Sequence, residues 1–257
     1  MMIFFERLAL CALPLALLCG CEREDGRMVV VSGVELCRID SATVADSAME
    51  AAIEVYRDSI ASIMAEPLCE CDESMAAYRP ESGMMRFMAD LLRSESALFA
   101  QSHGLPIPEM ALMNAGGIRD ALPQGTLTVG DVFRVSPFEN SPVVVALDSA
   151  GVMAMLNHVA ERGGEALSGV SLTLSDGKAT DVLVGGRPLA GGRPYRVATL
   201  DYLATGGDGF GCLVGNVEYQ TGSVFRDVFI NHLRRIGQSG GHVKAPTDVR
   251  ITVKGKE

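Results

Sequence analysis

The chain has 257 residues, of which 48% are apolar and 21% are charged, a balance that supports a folded core. Its formal net charge is −10. Because proteins that bind the backbone of DNA or RNA usually carry a basic face, this charge disfavours a nucleic-acid partner. A small anionic ligand is compatible with it, since a few well-placed arginines suffice to bind one.

Residues 1–20 predict a secretory signal. The apolar run at residues 8–20, LALCALPLALLCG, is too short to span a bilayer and has the length of a signal h-region. It leads into LLCGC, which resembles the bacterial lipobox with Cys21 as the acylated residue. Residues 21–27 are then a short tether and residues 28–257 the folded domain. These features predict a protein of the bacterial cell envelope that touches the membrane only through its lipid anchor, in the periplasm or at the outer-membrane surface. A buried N-terminal helix is the alternative.

Four cysteines lie beyond this leader: Cys37, Cys69, Cys71 and Cys212. The CEC spacing at 69–71 lacks the intervening residues of a zinc knuckle. We expect buried free thiols. In an oxidising compartment, a disulfide from Cys69 or Cys71 to a distant partner is the alternative.

Hydrophobic spacing predicts the elements of the first half in chain order. One strand, or two short ones, is expected over 27–40. An amphipathic helix is expected over 42–65, with Ser47 and Glu50 as its capping box and Pro67 after its end. A second helix is expected over 82–104, closed by Gly104. A short buried strand over 109–114 follows and leads into a glycine turn.

The second half predicts a strand over 143–149 and a helix over 150–164 with a glycine exit. Alternation over 168–207 predicts a β meander with turns at Asp176-Gly177 and Gly185-Gly186. A last helix over 222–237 and a closing strand over 248–255 complete the chain. The elements predict one α+β domain with mixed β-sheets flanked by helices.

Several catalytic signatures are absent from the sequence. It contains no HExxH and no GxxxxGK[ST]. GGDGFG at 206–211 is not a dinucleotide fingerprint, because Cys212 stands where a third glycine belongs. The Asn-His pairs at 157–158 and 231–232 lack the flanks of dinuclear metallophosphatase motifs. We expect these histidines to lie on helices, exposed or partly buried, and predict no metal ligands or cofactor in this chain.

Three stretches place polar or aromatic residues beside glycine or proline: NAGGIR (114–119), VSPFEN (135–140) and ATLDYLATGGDGF (198–210). Glycines let a backbone turn sharply and approach a ligand, and Arg119 follows such a turn. Each stretch alone has a plainer explanation: a surface arginine, a Phe138 tucked into the core, or a capping Asp208.

Together these residues favour a nucleoside with a phosphate. Two loop aromatics, Phe138 and Tyr202, can stack on a base for about 1–3 kcal/mol each. The carboxylate of Asp208 can accept from ribose hydroxyls, and the guanidinium of Arg119 can bind an anionic group. An asparagine amide supplies further donors and acceptors.

NAGGIRDAL, SPFEN, ATLDYLATGGDGF and the upstream RPESGMMRFMADLL resemble, in order, signature stretches of the 5′-nucleotidase C-terminal domain family. That domain is the substrate-binding half of bacterial 5′-nucleotidase/UDP-sugar hydrolases and 2′,3′-cyclic phosphodiesterases. The resemblance runs from about residue 28 to the end and implies the same fold.

The resemblance also implies roles. Phe138 and Tyr202 would clamp the base, Asn140 would contact it, and Asp208 would bind the ribose hydroxyls. Arg119 would reach the sugar or phosphate, and Arg86 and Arg79 the phosphate. The same binding loops contain Asn114, Gly117 and Gly207. Two residues depart from the family pattern: Met85 replaces a glycine before Arg86, and Glu139 stands where a glycine commonly separates Phe from Asn.

The family's metallophosphatase domain, with its two metals and catalytic His-Asp pair, has no match in this sequence. We therefore expect the nucleotide-recognition half of a split 5′-nucleotidase, paired with a separately encoded metallophosphatase that carries divalent metals. One alternative is a non-catalytic nucleoside- or nucleotide-binding lipoprotein. Another is a degenerate interaction module in which Phe138 and Tyr202 are buried in the core and no nucleoside binds.

Overall fold

The structure is a computed structural model and describes residues 39–254. Contacts divide the chain into two compact units at Glu50/Ala51, and the elements from β1 onward belong to the second. The predicted signal, the tether, Cys21, Cys37 and nearly all of the first predicted strand lie outside the described residues. Among the residues that are described, no helix has the length and apolarity needed to cross a membrane.

The described residues form six helices and twelve strands. The helices are α1 Ser47–Met64, α2 Gly83–His103, α3 Val129–Val135, α4 Ser149–Glu161, α5 Asp201–Ala204 and α6 Phe225–Gln238. The strands are β1 Pro67–Cys71, β2 Met110–Met113, β3 Gly125–Thr128, β4 Pro142–Leu147, β5 Ala166–Ser168, β6 Val170–Ser175, β7 Lys178–Val184, β8 Arg187–Pro188, β9 Tyr195–Leu200, β10 Val217–Gln220, β11 His242–Val243 and β12 Ile251–Val253. Short 3₁₀ turns occur at Ala115–Gly117, Gly207–Gly209 and Gly211–Leu213.

The strands form three sheets, with the orders β10-β4-β9-β2-β5, β11-β1-β3 and β12-β6-β7-β8. Each sheet is mixed: β2–β9, β1–β11 and β12–β6 are parallel pairs, and the other pairs are antiparallel. Mixed sheets with flanking helices confirm the predicted α+β class.

In the five-stranded sheet, β2, β4, β5 and β9 are buried on both faces, which explains their largely apolar sequences, whereas the edge strand β10 is mostly exposed. Along β2, Ala111 and Met113 pack into a cluster with α2, α6 and the three-stranded sheet. Met110 and Leu112 point the other way, into a cluster with α4 and the four-stranded sheet. The sheet is therefore the central layer, and neither face is available for a ligand.

One edge of this sheet collects four loops. β2 and β9 are parallel, so their carboxyl ends lie together. β4 and β5 run antiparallel to them, with Pro142 opposite Leu200 and Ala166 opposite Met113, so the amino ends of these two strands lie at the same edge. Segments 114–119, 136–141, 162–165 and 201–210 therefore meet there.

The first predicted helix is present but begins later and is capped differently. The Oδ1 of Asp46 accepts from the backbone N–H groups of Ala48 and Met49, at 2.9 and 3.0 Å. Asp46, not Ser47, therefore fills the N-cap position. The helix α1 has no buried residues.

Two other predictions need correction. The sequence pattern indicates no element around 129–135, yet this segment forms α3, started by a capping box of Thr128 and Asp131. The meander prediction is correct for β6–β8, with positive φ at Asp176, Gly177, Gly185 and Gly186. It is wrong for β9, which pairs with β4 and β2 because nearly every position of YRVATL is buried.

The described cysteines are buried or half-buried. Cys69 and Cys71 are buried free thiols on β1, and Cys212 is a half-buried one. Burial raises the pKa of Cys69 to about 11. This thiol is therefore protonated and poorly nucleophilic at neutral pH.

Helix α6 approaches β1 closely at Gly237, where an added Cβ would lie 2.0 Å from the carbonyl oxygen of Leu68. We predict that Gly237→Ala lowers the free energy of unfolding by about 1–3 kcal/mol, because the helix must move away from the strand. Urea unfolding measures this. Gly211→Ala is the control, since its Cβ would meet nothing within 4 Å. Unchanged stability of Gly237→Ala would contradict the close approach.

Candidate binding site

The four loops at the sheet edge, together with Arg79, enclose a cavity of about 450 Å³. Its walls combine aromatic rings, amides, guanidiniums, a carboxylate and two glycines. The lining residues are Arg79, Asn114, Gly116, Gly117, Arg119, Phe138, Asn140, Arg162, Tyr202 and Asp208. Eight of the ten predicted site residues are therefore brought together here.

The carboxylate of Asp208 is held by three donors from three different loops. Its Oδ2 accepts from Asn114 Nδ2 at 2.8 Å and from Arg162 Nη2 at 3.1 Å. Its Oδ1 accepts from the Tyr202 hydroxyl at 3.0 Å. A charged acceptor makes these bonds stronger than neutral ones, so Asp208 has a fixed orientation at the cavity wall.

The backbone of Asp208 is fixed as well. Its φ is +53°, in the left-handed region that Asp tolerates better than most residues. Its carbonyl oxygen accepts from His158 Nε2 at 2.9 Å and from Arg162 Nη1 at 3.2 Å. His158 on α4 and Arg162 just after it therefore stabilise the left-handed conformation of Asp208, which the loop alone would populate weakly.

Two of the loop glycines are required by close packing. A Cβ at Gly117 would lie 2.8 Å from Asn114 Oδ1. A Cβ at Gly207 would lie 2.4 Å from the carbonyl oxygen of Tyr202 and 2.6 Å from its ring. Gly207 does not line the cavity, but its missing side chain lets the Tyr202 ring pack closely against the loop.

Glu165 is a fully buried carboxylate behind the cavity. Its Oε1 accepts from Arg79 Nη2 and Arg162 Nε, both at 2.6 Å, and its Oε2 accepts from the backbone N–H of Ala115. A buried charge is tolerated only when it is paired in this way. The hydrogen bond to Glu165 raises the pKa of Arg162 above its ordinary value.

Both predicted clamp aromatics present ring surface at the cavity. Phe138 is 45% exposed and Tyr202 is 43% exposed. The interpretation that places them in the core is therefore wrong. Because both rings line the same cavity, they offer a ligand a large apolar contact area.

The cavity has a positive charge balance within an acidic chain. Arg79, Arg119 and Arg162 contribute three positive charges, and Asp208 and Glu165 contribute two negative ones, which leaves one in excess. Among the described residues, Arg119 forms no ion pair, and its Nη1 donates only to the carbonyl oxygen of Gly116, at 3.2 Å. This guanidinium is therefore available to an anionic ligand.

Arg86, like Gly207, is a predicted site residue that does not line the cavity. Its Nε donates to the carbonyl oxygen of Pro246 at 2.9 Å, and its Nη1 pairs with Glu81 at 3.2 Å. The preceding Met85 is fully buried in the core. Glu139 is exposed and lies 3.4 Å from a guanidinium nitrogen of Arg226.

Sequence reasoning misses Arg162 and Glu165. The run ERGGE at 161–165 reads only as a helix exit, although it has the same pattern of charges beside glycines as the other loops. His158 lies on a helix, as predicted, and is half-buried there. Its contact with Asp208 spans 50 residues and follows only from the pairing of the strands.

The fold and the site define a substrate-binding domain of the 5′-nucleotidase type. A model of the family described as "5'-nucleotidase, C-terminal domain" matches residues 60–215, which is more than half of the chain. The chain therefore belongs to the 5′-nucleotidase C-terminal domain family, as its signature stretches predicted.

This chain matches only a part of each similar protein. The 5′-nucleotidase of Vibrio cholerae is 34% identical over 131 residues, which cover 49% of this chain and 24% of the relative. Protein UshA of Escherichia coli is 32% identical over 149 residues, which cover 56% and 26%. The solved 5′-nucleotidase precursor of Thermus thermophilus superposes with a TM-score of 0.68 at 25% identity, covering 81% of this chain and 43% of that one. The chain thus spans about a quarter of these curated relatives.

We predict that Glu165→Gln lowers the free energy of unfolding by about 1–3 kcal/mol, because two guanidiniums lose their shared carboxylate. Denaturant titration measures this loss. The matched control is Glu161→Gln, since Glu161 is exposed and lies 3.3 Å from its partner His158. We expect the control to change stability by less than about 0.5 kcal/mol. Equal effects of the two substitutions would argue against a structural role for the buried carboxylate.

Proposed function

We propose that this domain is the nucleotide-recognition half of a split 5′-nucleotidase, and that a separately encoded metallophosphatase supplies the divalent metals and the hydrolytic chemistry. The observation that supports recognition is a single cavity that combines two half-exposed rings, an oriented carboxylate and a guanidinium without an ion-pair partner among the described residues. These are the groups that a base, a sugar and a phosphate require.

The base would lie between Phe138 and Tyr202. Stacking on an aromatic ring contributes about 1–3 kcal/mol per base and tolerates any base, because each has a π-face. The side-chain amide of Asn140 lines the same cavity and would contact the edge of the base.

The sugar and phosphate would lie against the charged wall. Asp208 accepts hydrogen bonds and would take hydroxyl donors from the sugar. Arg119 would bind the phosphate through its planar fork of N–H donors, with Arg79 contributing a second positive charge from the same wall. Arg86 has no part in this arrangement.

The proposal of a partner rests on the relatives. Three of them are 5′-nucleotidases by name, and this chain matches about a quarter of the first. Among the residues that the structure describes, no cluster of three His, Cys, Asp or Glu side chains is placed to hold a metal ion. Phosphate-ester hydrolysis generally uses metals to activate water and neutralise charge, and here the partner would provide them.

The proposed location follows from the leader. Acylation at Cys21 would anchor the protein in the bacterial cell envelope, facing the periplasm or the outer surface. Two lipoproteins on one membrane meet at a higher effective concentration than two free proteins. Anchoring would thus recover part of the advantage that a covalent link gives.

We predict that Tyr202→Ala weakens binding of adenosine and AMP by about 1–3 kcal/mol, because one face of the base loses its stacking partner. Calorimetric titration of the full chain in detergent measures both ligands. Tyr56→Ala is the control, since Tyr56 is 65% exposed on α1 and does not line the cavity. Undiminished affinity in the Tyr202 variant would contradict the aromatic clamp.

We predict that mixing this protein with its metallophosphatase partner raises phosphate release from AMP above the sum of the two separate rates. Tyr202→Ala should reduce the gain by about tenfold at subsaturating AMP. Colorimetric phosphate detection and co-purification test the pairing. Nucleotide binding without any such gain would instead support the alternative of a non-catalytic binding lipoprotein.

A further inference from the structure

Two hydrogen bonds from the first turn of α6 hold the loop that carries Phe138. The backbone N–H of Phe225 donates to the carbonyl oxygen of Asn140 at 2.8 Å, and Arg226 Nη1 donates to that of Pro137, also at 2.8 Å. Among the described residues, the loop backbone between these two carbonyls makes no other hydrogen bond. The position of the loop therefore depends on α6, although 89 residues of chain separate Pro137 from Arg226.

The ring of Phe138 has little packing of its own to fix its direction. It is 45% exposed at the cavity wall, so its direction is set largely by the backbone that carries it. The Pro137 carbonyl and the Phe138 N–H belong to one planar peptide unit, and the ring of Pro137 fixes its own φ. A hydrogen bond that holds this carbonyl therefore also sets the direction in which the Phe138 side chain leaves the backbone.

Arg226 is buried, with 9% exposure, although it carries a charge. Its guanidinium carbon lies 4.3 Å from the centre of the Phe133 ring, and its Nη2 lies 3.4 Å from Glu139 Oε1. Its Nε is buried and has no hydrogen-bond partner within the described part of the chain. A buried charge with an unpaired donor is costly, and an apolar side chain at this position would avoid that cost. Stability alone therefore does not account for an arginine here.

We propose that Arg226 is a positioning residue: it holds the Pro137 carbonyl so that the Phe138 ring faces the cavity. Affinity for a base then depends on this guanidinium, although Arg226 does not line the cavity. The same contact gives a role to Glu139, which departs from the family pattern, because its carboxylate supplies a counter-charge to the guanidinium. This inference rests on the proposed function, since it assumes a base beside Phe138.

The first test is a double-mutant cycle on the full chain, with AMP as the ligand and calorimetry for the dissociation constants. Arg226→Met is expected to raise the dissociation constant about tenfold, close to the effect of Phe138→Ala, because both remove one stacking face. Adding Arg226→Met to Phe138→Ala should then raise it no further, since the guanidinium acts through the ring. A loss caused by a loosened fold would instead add to that of Phe138→Ala.

Two further variants complete this test. Arg234→Met is the matched control and should leave the affinity unchanged, because Arg234 lies on the same helix, pairs with Glu66 at 2.7 Å and does not line the cavity. Arg226→Lys keeps the buried charge and the apolar stem, so it serves if the methionine variant does not fold. A lysine has no planar fork and reaches Pro137 less well, so we expect a dissociation constant about threefold higher, with no such change in the Phe138→Ala background.

A second measurement needs no ligand. Incorporation of para-fluorophenylalanine labels each Phe, and the fluorine signal that disappears in Phe138→Leu is that of Phe138. Arg226→Met is expected to shift and narrow this signal, because the released ring moves more freely in water. Arg234→Met should leave it unchanged.

Three results would overturn the inference. They are unchanged AMP affinity in both Arg226 variants, additive losses in the double variant, and an unmoved Phe138 fluorine signal in Arg226→Met. If AMP does not bind to the wild-type protein, the proposed function fails, and the fluorine signal alone then decides whether Arg226 fixes the ring. The two failures are therefore distinguishable.

Discussion

The parallel pairing of β2 with β9 determines the position of the cavity that can bind a ligand. Both faces of the central sheet are covered by apolar clusters, so only its edges are accessible. Parallel neighbours bring two carboxyl ends to one edge, and the antiparallel β4 and β5 bring two amino ends to the same place. Segments from 114, 138, 162 and 202 become neighbours for this reason alone. A ligand site at the carboxyl ends of strands follows the general rule for open sheets with parallel pairs.

A network of ion pairs and hydrogen bonds then gives the loops a fixed geometry. Glu165, fully buried, binds Arg162, and Arg162 binds both the carboxylate and the backbone of Asp208. The buried charge is costly to desolvate, and its partners offset that cost only because all its contacts are formed together. The same contacts hold Asp208 in a left-handed conformation before any ligand arrives. Less order is then lost on binding, which favours affinity.

Much of the site is predictable from the sequence because its glycines mark the loops. Phe138, Tyr202, Asp208, Asn114 and Arg119 are all recognisable from local patterns. What the sequence does not predict depends on distant pairing. Glu165 reaches Arg79 across 86 residues of chain, and Arg162 reaches Asp208 across 46, contacts that no local spacing indicates. The strand β9 resembles part of the meander because short apolar strands look alike until their neighbours are known. Arg86 matches the family pattern, but here Glu81 and Pro246 hold it.

The burial of the central sheet on both faces also separates what keeps this molecule folded from what it recognises. Most of the side chains that fill the two apolar clusters come from strands and helices, whereas the cavity is built from segments beyond the strand ends. Substitutions of cavity residues outside the Glu165–Arg162–Asp208 network can therefore alter ligand preference with little loss of stability. Related proteins with this fold would therefore diverge mainly in the loops that build the cavity, while the strands and helices of the apolar clusters stay similar.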